Sequence, residues 1–222
     1  MLNNTLSVIL LAGGSGKRFG GSTPKQYTLI KGKPVFYYSL NVLKNIKNVE
    51  EIIVVAQPEY RHLFACINKF ANPGKERQDS VFNGLEMVSC KSQYVLIHDS
   101  ARPIINEIDV NHLIHDAKLY GAATLASPLT STIKESLDKN FVSKTLQREN
   151  LFLIHTPQVI RKDILKSGFE KLRKENLNVT DDVSLVELLN LKVKLTLSSS
   201  YNIKITTQQE LKIAELLIDE KL

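Results

Sequence analysis

One passage near the amino terminus limits the fold more than any other. Leu6 to Leu11 is a run in which only Ser7 is not apolar, and it leads into Ala12-Gly13-Gly14-Ser15-Gly16-Lys17-Arg18-Phe19-Gly20-Gly21-Ser22-Thr23-Pro24-Lys25. A continuous apolar run of that length reads as a strand buried on both faces, as inside a parallel sheet covered by helices. The loop after it holds five glycines and the cations Lys17, Arg18 and Lys25. Glycine lets the backbone approach an anion closely, and successive N–H groups form an anion-binding concavity. A strand that feeds such a loop is suited to hold a triphosphate and to stabilise its charge as it reacts. Spacing excludes two familiar alternatives: no window gives G-x-x-x-x-G-K-[ST], and the third glycine of the dinucleotide fingerprint is missing.

The rest of the chain alternates between strand-like and helix-like segments. Strands are predicted at 51–56, 67–71, 94–98, 121–127, 193–197 and 201–205. Helices are predicted at 34–46, 59–65, 79–88, 106–118, 161–174 and 181–189, the last with Thr180 as N-cap, and a capping box over Thr206 to Gln209 opens a final helix. That order predicts an α/β fold: a Rossmann-like, three-layer, open and mostly parallel twisted sheet with helices on both faces. All of residues 1–222 form one domain in this reading. Thr132 to Leu146 breaks the pattern, with loose alternation around Asp138-Lys139-Asn140. It reads as a β-hairpin arm spanning about 130–149, too polar to be core. A lone two-stranded hairpin is marginal in water, so the arm is expected to pack on a second copy in a homodimer.

Charge narrows the function classes. The net charge is +6, but Lys and Arg are interleaved with acids, and the densest cluster, Lys171-Leu172-Arg173-Lys174, is flanked by Glu170 and Glu175. That pattern suits phosphorylated metabolites better than polynucleotides, and no nucleic-acid partner is expected. No apolar run approaches the roughly 20 residues that cross a bilayer. With no targeting segment seen at Met1-Leu2-Asn3-Asn4, the expected location is the cytoplasm, or the plastid stroma for a plant-type protein. Cys66 and Cys90 lack metal-ligand spacing and are expected to be buried.

In open α/β sheets ligands sit beyond the carboxyl ends of the strands. The residues that follow the predicted strands there are the 13–25 loop, His98-Asp99-Ser100-Ala101-Arg102-Pro103, Thr130 to Thr132, and Lys204 within the last strand. Magnesium prefers one or two carboxylates together with substrate phosphates and water, and Asp99 suits that role. His98 and His155 are expected to be structural. Ser80 reads equally as a helix cap or as a group that hydrogen-bonds a base edge.

Taken in order, these segments resemble a known family. Ala12 to Arg18 with Pro24-Lys25-Gln26-Tyr27 looks like the signature of sugar-phosphate nucleotidyltransferases. Arg77-Gln78-Asp79-Ser80-Val81, His98 to Pro103, Thr156-Pro157-Gln158, Thr180-Asp181-Asp182 and Asn202-Ile203-Lys204-Ile205-Thr206 narrow it. The set resembles the 2-C-methyl-D-erythritol 4-phosphate cytidylyltransferase family across nearly the whole chain. The resemblance implies transfer of a cytidylyl group from CTP to a polyol phosphate, with release of pyrophosphate. It assigns Arg18 and Lys25 to catalysis and Asp99 to Mg²⁺. It assigns Ala12, Gly13, Gly14, Gly16, Gly74, Ser80, Ser100, Arg102 and Lys204 to the nucleotide. Thr132, Arg148, Thr180 and Lys204 would hold the polyol phosphate, with Thr132 and Arg148 supplied by the arm of the other subunit. Ribitol 5-phosphate cytidylyltransferase shares most of these motifs and is the nearest alternative. A non-catalytic nucleotide-binding protein is a more distant one.

Overall fold

The computed structural model describes residues 5–16, 19, 20, 23–198 and 201–219. Among them, the strands in chain order are β1 (Leu6–Leu11), β2 (Leu29–Ile30), β3 (Lys33–Pro34), β4 (Val49–Val55), β5 (Lys69–Ala71), β6 (Tyr94–Asp99), β7 (Ala122–Pro128), β8 (Lys134–Glu135), β9 (Lys144–Thr145), β10 (Phe152–Arg161) and β11 (Lys194–Leu197). The α-helices are α1 (Val35–Asn45), α2 (Arg77–Glu86), α3 (Glu107–Tyr120), α4 (Lys162–Lys174), α5 (Ser184–Leu188) and α6 (Gln208–Asp219).

Among the described residues, seven strands form the main sheet, in the order β11-β7-β10-β6-β1-β4-β5. β1 is an interior strand, parallel to β4 on one side and to β6 on the other, with Leu11 opposite Val55 and Asp99. Both of its faces are covered, which is why its sequence is an almost unbroken apolar run. Val8 and Leu10 pack into one cluster with Phe36, Leu43, Val110 and Leu113, from α1 and α3. Ile9, one residue out of phase, packs into the opposite cluster with Val81, Leu85, Leu165 and Leu185, from α2, α4 and α5. The period-2 alternation of a strand thus divides one segment between two cores. A third cluster joins Phe19 of the glycine-rich loop to Ile205 and to Ala214 and Ile218 of α6.

The expected fold class holds, with several corrections. β10 is a ten-residue strand, antiparallel to both β6 and β7, and the sequence reading passed over it. Pro157 interrupts its apolar pattern, and the strand accommodates it where the β10–β7 register shifts, between Ile154 and Gln158. Residues 201–205 join no sheet, and the segment is held instead by Ile205 N–H to the Ala101 carbonyl and Asn202 Nδ2 to the Thr156 carbonyl. The 59–65 helix is a 3₁₀ helix, Pro58–Leu63. Thr180 is not an N-cap: α5 starts at Ser184, whose amide is capped by the Asp181 carboxylate. At α6 the acid that accepts the Thr206 and Thr207 amides is Glu210, one residue beyond the expected box. Cys66 and Cys90 are exposed, not buried. The arm is a hairpin with two-residue strands, and Leu137, Phe141 and Val142 on it stand open to solvent. No helix among the described residues is long and apolar enough to cross a membrane.

Candidate active site

The strand order places a topological switch between β1 and β6, because the chain leaves β1 for β4 on one side and later returns to β6 on the other. Such a switch opens a crevice beyond the strand ends, where ligands bind in this class of fold. Here it is a cavity of about 480 Å³, lined by Gly13, Gly14, Ser15, Gly16, Lys25, Gly74, Ser80, Asp99, Ser100 and Lys204 among others. Ligand sites commonly span about 300–1,000 Å³.

The glycine-rich loop is pinned from beneath. Gln26 Nε2 donates to the carbonyls of Ala12 and Gly14, at 2.6 and 2.8 Å. Tyr27 Oη donates to the Ala12 carbonyl at 2.8 Å, and Gln57 Nε2 donates to that of Gly13 at 2.8 Å. A trans peptide carries its C=O and N–H on opposite sides. Fixing the carbonyls of residues 12, 13 and 14 therefore turns the N–H groups of Gly13, Gly14 and Ser15 the other way. Gln26 and Tyr27 were legible only as part of a motif, and their role as loop anchors emerges from the contacts. Gly13 cannot be replaced without disturbance: a Cβ there would lie 2.5 Å from Pro73 Cβ.

The Ala12 backbone groups are both engaged within the protein. Its N–H bonds the Val55 carbonyl and its own carbonyl takes Gln26 and Tyr27. Ser80 is no cap, because α2 begins at Arg77 with a Glu76/Asp79 capping box. Its hydroxyl instead accepts the Gly74 amide at 2.9 Å and shapes the turn at the cavity edge. Ser100 donates both its amide and its hydroxyl to the Leu11 carbonyl, at 3.0 and 2.7 Å, stapling the ends of β1 and β6. Lys25 lines the cavity. Arg18 lies outside the described residues.

Asp99 is buried and bonded on both oxygens, by Arg77 Nε at 3.0 Å and Lys204 Nζ at 2.6 Å. Burial alone would push its carboxyl up, but the Arg77 guanidinium and the Lys204 ammonium outweigh it and hold the group well below the usual carboxylate range. Asp182, across Arg77, is pushed up by burial while its fork of bonds to the same guanidinium opposes the shift. Each Asp99 oxygen accepts one of these two bonds and keeps a lone pair. An ionised carboxylate at a cavity wall fits Mg²⁺ held mainly by substrate phosphates and water. No group of three or more His, Cys, Asp or Glu side chains placed to hold a metal ion occurs among the described residues, so the protein itself would supply little more than this one ligand.

Arg102 is displaced from its expected place. It lines a smaller adjoining cavity of about 310 Å³, shared with Thr180, Asp181, His155 and Gln158, and with Arg77, Asp99 and Lys204, which border both spaces. Arg102 Nη1 donates to the Asn202 carbonyl at 2.7 Å and to His155 Nδ1 at 3.1 Å. Its Nε is buried with no partner among the described residues. His155 Nε2 then donates to Ser127 Oγ. His98 is structural: Thr156 Oγ1, which accepts the Asp99 amide, donates to Nδ1, while Nε2 donates to the Arg102 carbonyl. Burial pulls both imidazoles down to about 4. Thr132 and Arg148 line neither cavity, and Arg148 Nη1 instead bonds the Thr130 carbonyl within the arm.

The family described as "IspD: 2-C-methyl-D-erythritol 4-phosphate cytidylyltransferase" matches residues 6–220. The chain belongs to this family. It is 46% identical over 224 residues to the chloroplastic 2-C-methyl-D-erythritol 4-phosphate cytidylyltransferase of Oryza sativa subsp. japonica, covering 98% of this chain and 75% of that one. It is 43% identical to the enzyme of the same name from Chlamydia caviae, covering 96% and 98%. Among solved structures it superposes on 4-diphosphocytidyl-2C-methyl-D-erythritol synthase of Anaerococcus prevotii with a TM-score of 0.87 at 26% identity, covering 98% and 97% of the two chains. The Francisella tularensis 2-C-methyl-D-erythritol 4-phosphate cytidylyltransferase gives 0.82 at 30%, covering 96% and 99%. As a member of the cytidylyltransferase family the chain is a nucleotidyltransferase, and its α/β sheet is that of the family.

Proposed function

We propose that the larger cavity takes CTP and the smaller one the phosphate of 2-C-methyl-D-erythritol 4-phosphate, so that the two substrates meet beside Asp99 and Lys204. The reaction is transfer of the cytidylyl group from CTP to that phosphate, giving 4-diphosphocytidyl-2-C-methyl-D-erythritol and pyrophosphate. A phosphate oxygen of the acceptor, already ionised at neutral pH, attacks the α-phosphorus, and the bond to the β-phosphate bridging oxygen breaks. No covalent intermediate on the protein is needed, and catalysis falls to positioning and electrostatics.

The observation that carries this reading is the pinned loop. The anchored carbonyls of residues 12–14 aim successive amides away from the protein interior, and Lys25 borders the same cavity. In this division of labour Lys25 and Arg18 neutralise the departing pyrophosphate. Gly74 and Ser80 form the base end. Arg102, together with Thr180 and Lys204, receives the acceptor phosphate. Asp99 would hold Mg²⁺, which when bound screens the triphosphate charge. The arm would complete the acceptor site from a second copy, through Thr132 and Arg148, in a homodimer. Its exposed Leu137, Phe141 and Val142 supply the apolar surface for that contact. The cytoplasm of a bacterium or the stroma of a plastid is the proposed location.

The test is pyrophosphate release from CTP, with 2-C-methyl-D-erythritol 4-phosphate and ribitol 5-phosphate compared side by side. Turnover with the first and little with the second is expected, and the reverse preference would overturn the assignment. Lys25→Ala is expected to lower kcat by about two orders of magnitude or more while the protein stays folded. Near-normal kcat would remove Lys25 from the chemistry.

A further inference from the structure

We propose that Arg77 is a positioning residue that ties the acceptor-side turn, residues 180–183, to the nucleotide-side carboxylate Asp99. The inference rests on reading the smaller cavity as the acceptor site. Arg77 is the first residue of α2, immediately after the N-cap Glu76 and within the Glu76/Asp79 capping box. Its guanidinium makes three ionic hydrogen bonds in two directions. Nη1 and Nη2 fork onto the Asp182 carboxylate, each at 2.8 Å, and Nε bonds Asp99 at 3.0 Å. Asp182 is 2% exposed, so its carboxylate cannot exchange this partner for bulk water, while Asp99, at 6%, borders both cavities.

The turn is gripped from its other side as well. Gln158 Oε1 accepts the amides of Asp182 and Val183, at 2.9 and 3.0 Å, while its Nε2 donates to Asp181 Oδ2 at 3.1 Å. Thr180 and Asp181 line the acceptor cavity at the start of that turn. Gln158 sets its height over β10, and Arg77 sets its distance from Asp99. A planar fork of fixed geometry suits that task, whereas a lysine ammonium can replace the charge but not three directed bonds. The two ends of Arg77 are unequal in what they leave behind. Without it Asp99 still has Lys204 at 2.6 Å, whereas the Asp182 carboxylate loses its ion-pair partner. The damage is therefore expected on the acceptor side.

The experiment compares Arg77→Lys, Asp182→Asn and Thr180→Ala with the wild type. Steady-state kinetics are run against both substrates, CTP affinity is measured by calorimetric titration without acceptor, and a thermal melt shows that each variant is folded. Arg77→Lys is expected to lower kcat/KM for the polyol phosphate by about 100-fold, the scale of an ångström-sized misplacement. CTP affinity should change by less than about 3-fold, because Asp99 keeps its charge and its lysine. Asp182→Asn, which leaves the Arg77–Asp99 bond in place, should show the same split. A merely structural role would depress CTP affinity and acceptor efficiency together, and that result, or unchanged kinetics in both variants, would overturn the proposal. Thr180→Ala separates the two levels. If it raises KM for the polyol phosphate while Arg77→Lys and Asp182→Asn do not, the acceptor cavity stands and the role of Arg77 falls. If it leaves that KM untouched, both fall.

Discussion

Gly13→Ala is the most discriminating single substitution in the glycine-rich loop. A Cβ at Gly13 would lie 2.5 Å from Pro73 Cβ and 3.1 Å from Pro73 Cγ. Non-bonded carbons rest at about 3.5–4.0 Å, so the two segments must part by about 1 Å. A proline ring has no rotamer that moves it aside, and Pro73 is joined to Gly74, which lines the cavity. The displacement is therefore passed to both walls of the nucleotide site. Overpacking of this kind costs about 1–3 kcal/mol. At roughly 2–4 °C per kcal/mol for a chain of this length, Tm should fall by about 2–12 °C. A 1 Å misplacement at a reacting centre should lower kcat/KM for CTP by about 100-fold. The control is Gly14→Ala, one residue on. Nothing lies within 4 Å of a Cβ there and its φ is outside the left-handed region, so Tm should hold or rise, by up to about 1 kcal/mol of stability. Thermal melts and pyrophosphate-release kinetics on the two variants decide it. Equal Tm values for both would refute the wedge between Gly13 and Pro73.

Arg148→Ala should raise KM for the polyol phosphate more than for CTP, and an equal effect on both would remove Arg148 from the acceptor site. Phe141→Glu should shift a dimer towards monomer in sedimentation and lower activity with it. A variant that sediments like the wild type would exclude the arm as the contact. His155 gives a pH dependence: burial first, then Arg102, pulls its folded value down to about 4, against about 6.5 unfolded. The folded state thus binds fewer protons between those values, so this contribution is complete above pH 6.5 and is lost as pH falls towards 4. Partial exposure limits it to about 1 kcal/mol. His155→Gln should accordingly lose less Tm than the wild type between pH 7 and pH 5, and parallel losses would count against it.

Much of the architecture was legible because its signals are local. The apolar run of β1, the Asn106 cap of α3 and the alternation of segments each follow from contacts within a few residues. β10 was missed because Pro157 argues against a strand in any local window, whereas its pairing with β6 and β7 is made by residues far along the chain. Residues 201–205 erred the other way. They are strand-like in composition, but the segment bonds the Ala101 and Thr156 carbonyls instead of a sheet strand and places Lys204 at the cavity.

The site divides along the same line. The chain's own order of residues determined that a strand would feed a glycine-rich basic loop, and which residue types would gather at the strand ends, because period-2 burial and glycine chemistry are properties of short segments. Only the tertiary structure decided that Arg102 serves the second cavity, that Ala12 turns its polar groups inward, and that Arg77 spans Asp99 and Asp182. These depend on bonds between residues as many as 105 positions apart. A guanidinium with two carboxylates within reach takes whichever geometry the packed sheet presents, and no local pattern encodes that distance.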